Sequence, residues 1–154
     1  MTMEKTASRI LQRGAAAVEL GLLMLPLATL TFGATEFGRA LYQYNAVGKT
    51  VRDAARHMSS TGDALAARCL AYSGSSANDG SSACTVTTPL LPGLTLAQVT
   101  AATALDQDFG TGTGAGKVNL VTVTVTGYAF NSMVPFAVPS FTFGPVSATM
   151  SKPI

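Results

Sequence analysis

Apolar residues along this chain follow three patterns, and each predicts a different kind of element. From Ala15 to Thr35 the residues are apolar or small, with Glu19 the one charge among them. From Leu41 to Met58 the apolar positions thin out. Leu41, Tyr44, Val47, Val51, Ala54, Ala55 and Met58 recur every three or four residues, and Arg39, Gln43, Lys49, Arg52, Asp53 and Arg56 fill the other faces. That period belongs to an amphipathic helix laid on a small domain. Further on, alternation takes over. Val118–Tyr128 carries Val121, Val123 and Val125 separated by threonines, and Val146, Ala148 and Met150 alternate with Ser147, Thr149 and Ser151. A period of two is that of half-buried strands.

No strong stop signal falls between Ala15 and Ser59, so a single long helix is expected, ended by Thr61–Gly62. Within it Glu36–Arg39 and Lys49–Asp53 are spaced to pair across a turn, for a few tenths of a kcal/mol. Thr85–Thr88 reads as a short strand, Leu96–Leu105 as a helix with Thr95 as its N-cap, and Asn131–Ser140, with Pro135 and Pro139, as a loop or single turn. The expected order is helix, short helix, strand, helix, strand, strand. This is an α+β fold whose small antiparallel sheet packs its apolar face on the second half of the long helix.

Length and charge sharpen the reading of the first helix. Leu20–Thr35 rises about 24 Å at about 1.5 Å per residue, and Ala15–Thr35 about 31 Å. Crossing a bilayer core takes about 30 Å, so a full span carries Glu19 to the edge of the hydrocarbon. An ionisable group there is a functional candidate by default. Pro26 is tolerated in a membrane helix with a kink, and Gly21 and Gly33 offer close-packing sites. Lys5, Arg9 and Arg13 precede the run, which places the N-terminus in the cytoplasm and the C-terminal part on the exported side. Charged residues make up 12% of the 154 residues, against roughly 25% in ordinary soluble domains. The formal net charge of +2 belongs to the N-terminal tip, and no basic face is left for nucleic acid.

The two cysteines, Cys69 and Cys84, form an even count on the exported side and read as a disulfide rather than a metal site. Between them SGSSANDGSS is flexible turn chemistry. Gly110–Lys117 has a superficial likeness to a phosphate-binding loop. It has Thr111 where that loop needs glycine and Val118 where it needs Ser or Thr, and a strand follows instead of a helix. His57 is the lone histidine, with Asp53 one turn earlier but no nucleophile motif beside it. Asp106 and Asp108 fall short of the six to eight oxygens calcium needs. An enzyme is therefore not expected, nor a cofactor.

Residues 13–59, with the Gly14–Ala15 junction, Glu19, the GATEFGRALY block (Gly33–Tyr42) and the VRDAARHMS block (Val51–Ser59), resemble the N-terminal region of TadE-like proteins. These are minor pilin-like (pseudopilin) components of the tight-adherence, or Flp, branch of type IV pilus machinery. The resemblance implies a type IV pilin-like layout. Residues 1–14 would be a cytoplasmic leader, 15–37 the transmembrane segment, and 38–154 an exported domain that includes the amphipathic half of the helix. It implies that a prepilin peptidase cuts after Gly14, and that Glu19 docks subunits by pairing with the new amine, at Ala15, of a neighbour. Leu20 departs from the Tyr or Phe common after that glutamate in Flp-type sequences. The implied partners are other pilin-like subunits, the peptidase and the inner-membrane assembly platform. Two other readings stay open. The chain could be the main filament subunit, although about 95 residues after the helix favour a minor one. It could instead be an exported adhesin whose first 33 residues are a signal peptide, although Thr31 and Gly33 make a poor cleavage site.

Overall fold

The computed structural model describes residues 2–108 and 117–152, with side chains over 14–105 and 118–152. The glycine-rich stretch before Lys117 and the side chains of the basic tip, Asp106 and Asp108 lie outside the described residues. One long helix, α1 (Thr2–Thr61), opens the chain, and α2 (Ala64–Ser73) follows it closely. A 3-10 turn (Leu96–Gln98) then leads into β1 (Val99–Asp108), β2 (Lys117–Val125), β3 (Ala129–Phe130), β4 (Phe141–Thr142) and β5 (Val146–Lys152). The chain divides into two compact units: Met1–Arg39 with Ser132–Pro139, and Ala40–Asn131 with Ser140–Ile154.

In the second unit β1, β2 and β5 form a three-stranded antiparallel sheet with β2 in the centre. Val121, Val123 and Val125 point to one face and are fully buried, while β5 opposes Met150, Ala148 and Val146 to them in register. The apolar stripe of α1 covers that face: Val47, Val51, Ala54, Ala55 and Met58 are buried in one cluster with the valines, Val99, Leu91, Leu94 and Tyr128. Each such side chain contributes roughly 1.5–3 kcal/mol when fully buried. The other face is lined by hydroxyls, and Thr122 and Thr149 share a hydrogen bond of 2.8 Å across the strands. The expectations for the long helix, β2, β5 and the packing of sheet on helix are met.

Helix ends follow local chemistry. Gly62 adopts φ +75° and donates to the Met58 carbonyl at 2.8 Å, closing α1 in the left-handed conformation that glycine takes without strain. Asp63 caps α2 by accepting from the Ala66 amide at 2.9 Å. From α2, Arg68 donates to the carbonyls of Val99 (2.9 Å) and Leu96 (3.3 Å), fixing the entry to β1. Two segments differ from expectation. Leu96–Leu105 is helical only in its 3-10 turn, where the Gln98 side chain accepts from the Thr95 amide at 2.8 Å. From Val99 onward it is a strand, because pairing of Val99–Ala104 with Leu120–Val125 outweighs the helix preference of its alanines. Thr85–Thr88 forms no strand: the neighbouring Asn78 and Cys84 make an isolated bridge instead.

Cys69, on α2, is joined to Cys84 (S–S 2.04 Å), as the cysteine count implied. Inside this loop the Asp79 carboxylate accepts from the amides of Ser81 (2.9 Å), Ala83 (3.0 Å) and Ser82 (3.1 Å). These bonds, that from Ser81 foremost, hold its pKa down to about 2. Their contribution is full above the ordinary Asp pKa of 3.8 and is lost progressively as pH falls from there through about 2. The disulfide bridges a sequence separation of 15, for which loop closure predicts about 3 kcal/mol of stabilisation. Urea denaturation of a Cys69→Ser/Cys84→Ser variant should show that loss. An unchanged midpoint would exclude a stabilising role for the bond.

Candidate functional site

The features on which the sequence reading rests for function all lie on α1. Gly14, Ala15 and Glu19 are exposed helical residues, and Ala15 and Glu19 share a face one turn apart. The Glu19 carboxylate has no partner among the described residues. From Gly14 to Thr35 every residue is exposed except Gly33, which is half-buried. Leucine side chains such as Leu22, Leu25 and Leu30 are exposed by more than two thirds of their surface. By length and composition this helix can cross a membrane. Its polar groups suit an apolar medium: Thr29, Thr31 and Thr35 return their hydroxyls to the carbonyls of Leu25 (2.9 Å), Leu27 (2.8 Å) and Thr31 (2.9 Å). Pro26 lies within the helix without ending it.

At the far end of this stretch a second carboxylate appears, and it differs from Glu19 in every respect. Glu36 is only 4% exposed. Its Oε2 accepts from Arg39 Nη2 at 2.8 Å, from Ser132 Oγ at 3.0 Å and from the Met133 amide at 3.1 Å. The Glu36–Arg39 pair was legible from its spacing of three. The other two donors lie 96 and 97 residues away in sequence, so nothing local announced them. One carboxylate oxygen thus ties Ser132–Pro139 to α1, and the Phe136 ring packs edge-on against Phe32 with centroids 6.4 Å apart.

The remaining candidates are not brought together into a site. No ion pair joins Lys49 to Asp53. His57 faces Thr61, with Nδ1 3.4 Å from its hydroxyl, and not Asp53. Among the described residues no three His, Cys, Asp or Glu side chains are placed to hold a metal ion. In the second unit Tyr128 and Phe143 stack at 5.8 Å, Phe143 packs on Tyr44, and the Tyr128 hydroxyl donates to the Pro92 carbonyl at 3.1 Å. These are packing contacts that seal the sheet against α1.

With this geometry in hand, comparison with known proteins gives one result. Residues 14–56 match the family model described as TadE-like protein. The match runs from the Gly14 junction through the exposed apolar stretch and the Glu36–Arg39 pair to the buried stripe of α1. No curated protein and no solved structure matches the chain.

Proposed function

We propose that this chain is a membrane-anchored, pilin-like subunit that takes part in assembling a tight-adherence (Flp-type) pilus, and that it has no catalytic activity. The observation that carries the reading is the TadE-like match over residues 14–56 on a helix whose first part is bare and apolar and whose second part is covered by a domain. In this role a prepilin peptidase cuts between Gly14 and Ala15 on the cytoplasmic side of the inner membrane. The residues from Ala15 to about Phe37 hold the chain in the bilayer, and the disulfide-bonded domain stands in the periplasm. Cleavage leaves an amine and several unpaired backbone N–H groups at the new helix start, a positive end that favours a carboxylate. Glu19 of an adjoining subunit supplies it. The other partners are pilin-like subunits and the inner-membrane assembly platform, and the subunit enters the pilus or primes it.

An intact mass from cells that contain the cognate peptidase tests this. The mature chain should begin at Ala15. A chain starting at Met1 would exclude processing, and loss of residues 1–33 would make the segment a signal peptide. Continuity of α1 through Gly33 favours the first outcome, because a signal peptidase site needs extended backbone. Copy number in sheared filaments separates a minor subunit from the main one.

A further inference from the structure

We propose that Ser132–Pro139 is a second membrane contact, a turn that seats Met133 and Phe136 at the boundary between acyl chains and headgroups of the bilayer that α1 enters. This rests on the membrane-anchor reading. Three independent observations support it. The first is composition and exposure. The segment reads SMVPFAVP and has no charge. Its two largest apolar side chains, Met133 and Phe136, are 77% and 74% exposed.

The second is level. Phe136 lies against Phe32, and Phe32 is about 26 Å along the helix from Ala15 at about 1.5 Å per residue. A bilayer core is about 30 Å thick. With Ala15 at one boundary, Phe32 and the Phe136 ring beside it arrive at the other. Interfacial apolar groups bury about 5–10 Å into that zone, which is the reach of a phenylalanine and a methionine on one turn.

The third is the backbone. Lipid supplies no hydrogen-bond partners, so irregular chain survives next to it only where its polar groups are satisfied from within. Met133 N–H goes to Glu36 (3.1 Å), Val134 N–H to Ser132 Oγ (3.1 Å), and the N–H groups of Ala137 and Val138 to the Val134 carbonyl (3.0 and 3.1 Å). Pro135 and Pro139 have no N–H to satisfy. Glu36 and Arg39 neutralise each other at the same level. A face built for another protein subunit would offer polar groups to a polar rim; this one bonds the amides of Met133, Val134, Ala137 and Val138 internally and presents apolar tips beside the apolar surface of α1.

The chain contains no tryptophan, which makes a direct test available. Phe136→Trp and, separately, Leu25→Trp each place a single tryptophan in the full chain, reconstituted in phosphatidylcholine–phosphatidylglycerol vesicles with lipids brominated at shallow or deep acyl positions. Both sites are exposed, so the larger ring meets no core. Leu25→Trp should be quenched most by deep bromines. Phe136→Trp should emit to the blue and be quenched more by shallow than by deep bromines, since an interfacial apolar side chain lies only about 5–10 Å into the boundary zone. Quenching of Leu25→Trp with Phe136→Trp unquenched would overturn the proposal and leave the membrane anchor standing. A Phe136→Trp signal that shifts only with protein concentration would assign the turn to a second subunit and overturn it equally. If neither tryptophan is quenched, the anchor reading falls and this proposal with it.

Discussion

Replacing Glu19 by Ala or Gln is expected to leave the protein at wild-type level in the membrane, correctly cleaved, and to abolish pilus assembly. A charge at the centre of a membrane helix costs roughly 2.5–3.5 kcal/mol on insertion scales, and less near the edge. Removing the Glu19 carboxylate therefore does not harm insertion and relieves a small penalty. Among the described residues the carboxylate supports nothing, since it is exposed on α1 and bonded to none of them. Its proposed partner is the Ala15 amine of a neighbouring subunit, set in an apolar seam of leucines. Taking away one member of a desolvated pair leaves the other charged and unpaired, at about 3–5 kcal/mol. That corresponds to roughly a hundredfold or greater loss of docking affinity. Membrane fractionation, N-terminal sequencing, counts of sheared pili and co-purification with the partner pilin read the separate steps. Wild-type piliation by Glu19→Ala would refute the docking mechanism.

Met58→Ala should do the reverse, weakening the domain while leaving the anchor alone. Met58 is 1% exposed and lies in the cluster that joins α1 to Val121, Val123 and Val125. Truncating a buried methionine to alanine costs about 2–5 kcal/mol through lost transfer energy and the cavity left behind. Single domains are stable by only about 5–15 kcal/mol, so the variant forfeits a large share. Its thermal midpoint should drop by roughly 10 °C or more for a domain of this size. In the proposed role the apolar stretch of α1 is held by the bilayer, and none of its residues belongs to this cluster, so membrane levels and cleavage should persist. Near-ultraviolet circular dichroism and urea midpoints in detergent measure the first effect, and fractionation the second. A midpoint within about 0.5 kcal/mol of wild type, the range of ordinary surface substitutions, would show that the helix–sheet seam does not hold the domain together.

Much of this architecture could be read along the chain because its signals are local. Helix period and strand alternation each need only a dozen residues to declare themselves. They identified α1, its stop at Gly62, the central strand β2 and the edge strand β5. A pair of cysteines allows a single connectivity, so the disulfide followed from the count. The failures came where local preference and tertiary pairing disagree. Ala101, Ala102 and Ala104 favour helix, yet they form β1 because Ala101, Ala102 and Ala104 pair with Val123, Thr122 and Leu120 on a strand that needs a second neighbour. Thr85–Thr88 has strand-forming residues but no partner strand, and β propensity without a partner makes none.

The two glutamates on α1 divide the same way. Glu19 stood out from sequence because it is the one charge in an apolar run, and a rule about membranes applies to it without any knowledge of the fold. Glu36 looked like half of a minor surface pair. Only the return of Ser132 and Met133, nearly a hundred residues later, makes it a buried carboxylate with three donors. Sequence by itself determined the elements, the candidate membrane segment and the cross-link, since each depends on residues near one another or on a count. Tertiary structure alone decided the strand at Val99–Asp108, the Glu36 clamp and the exposed turn it holds, since those depend on which distant groups the closed chain brings within bonding distance.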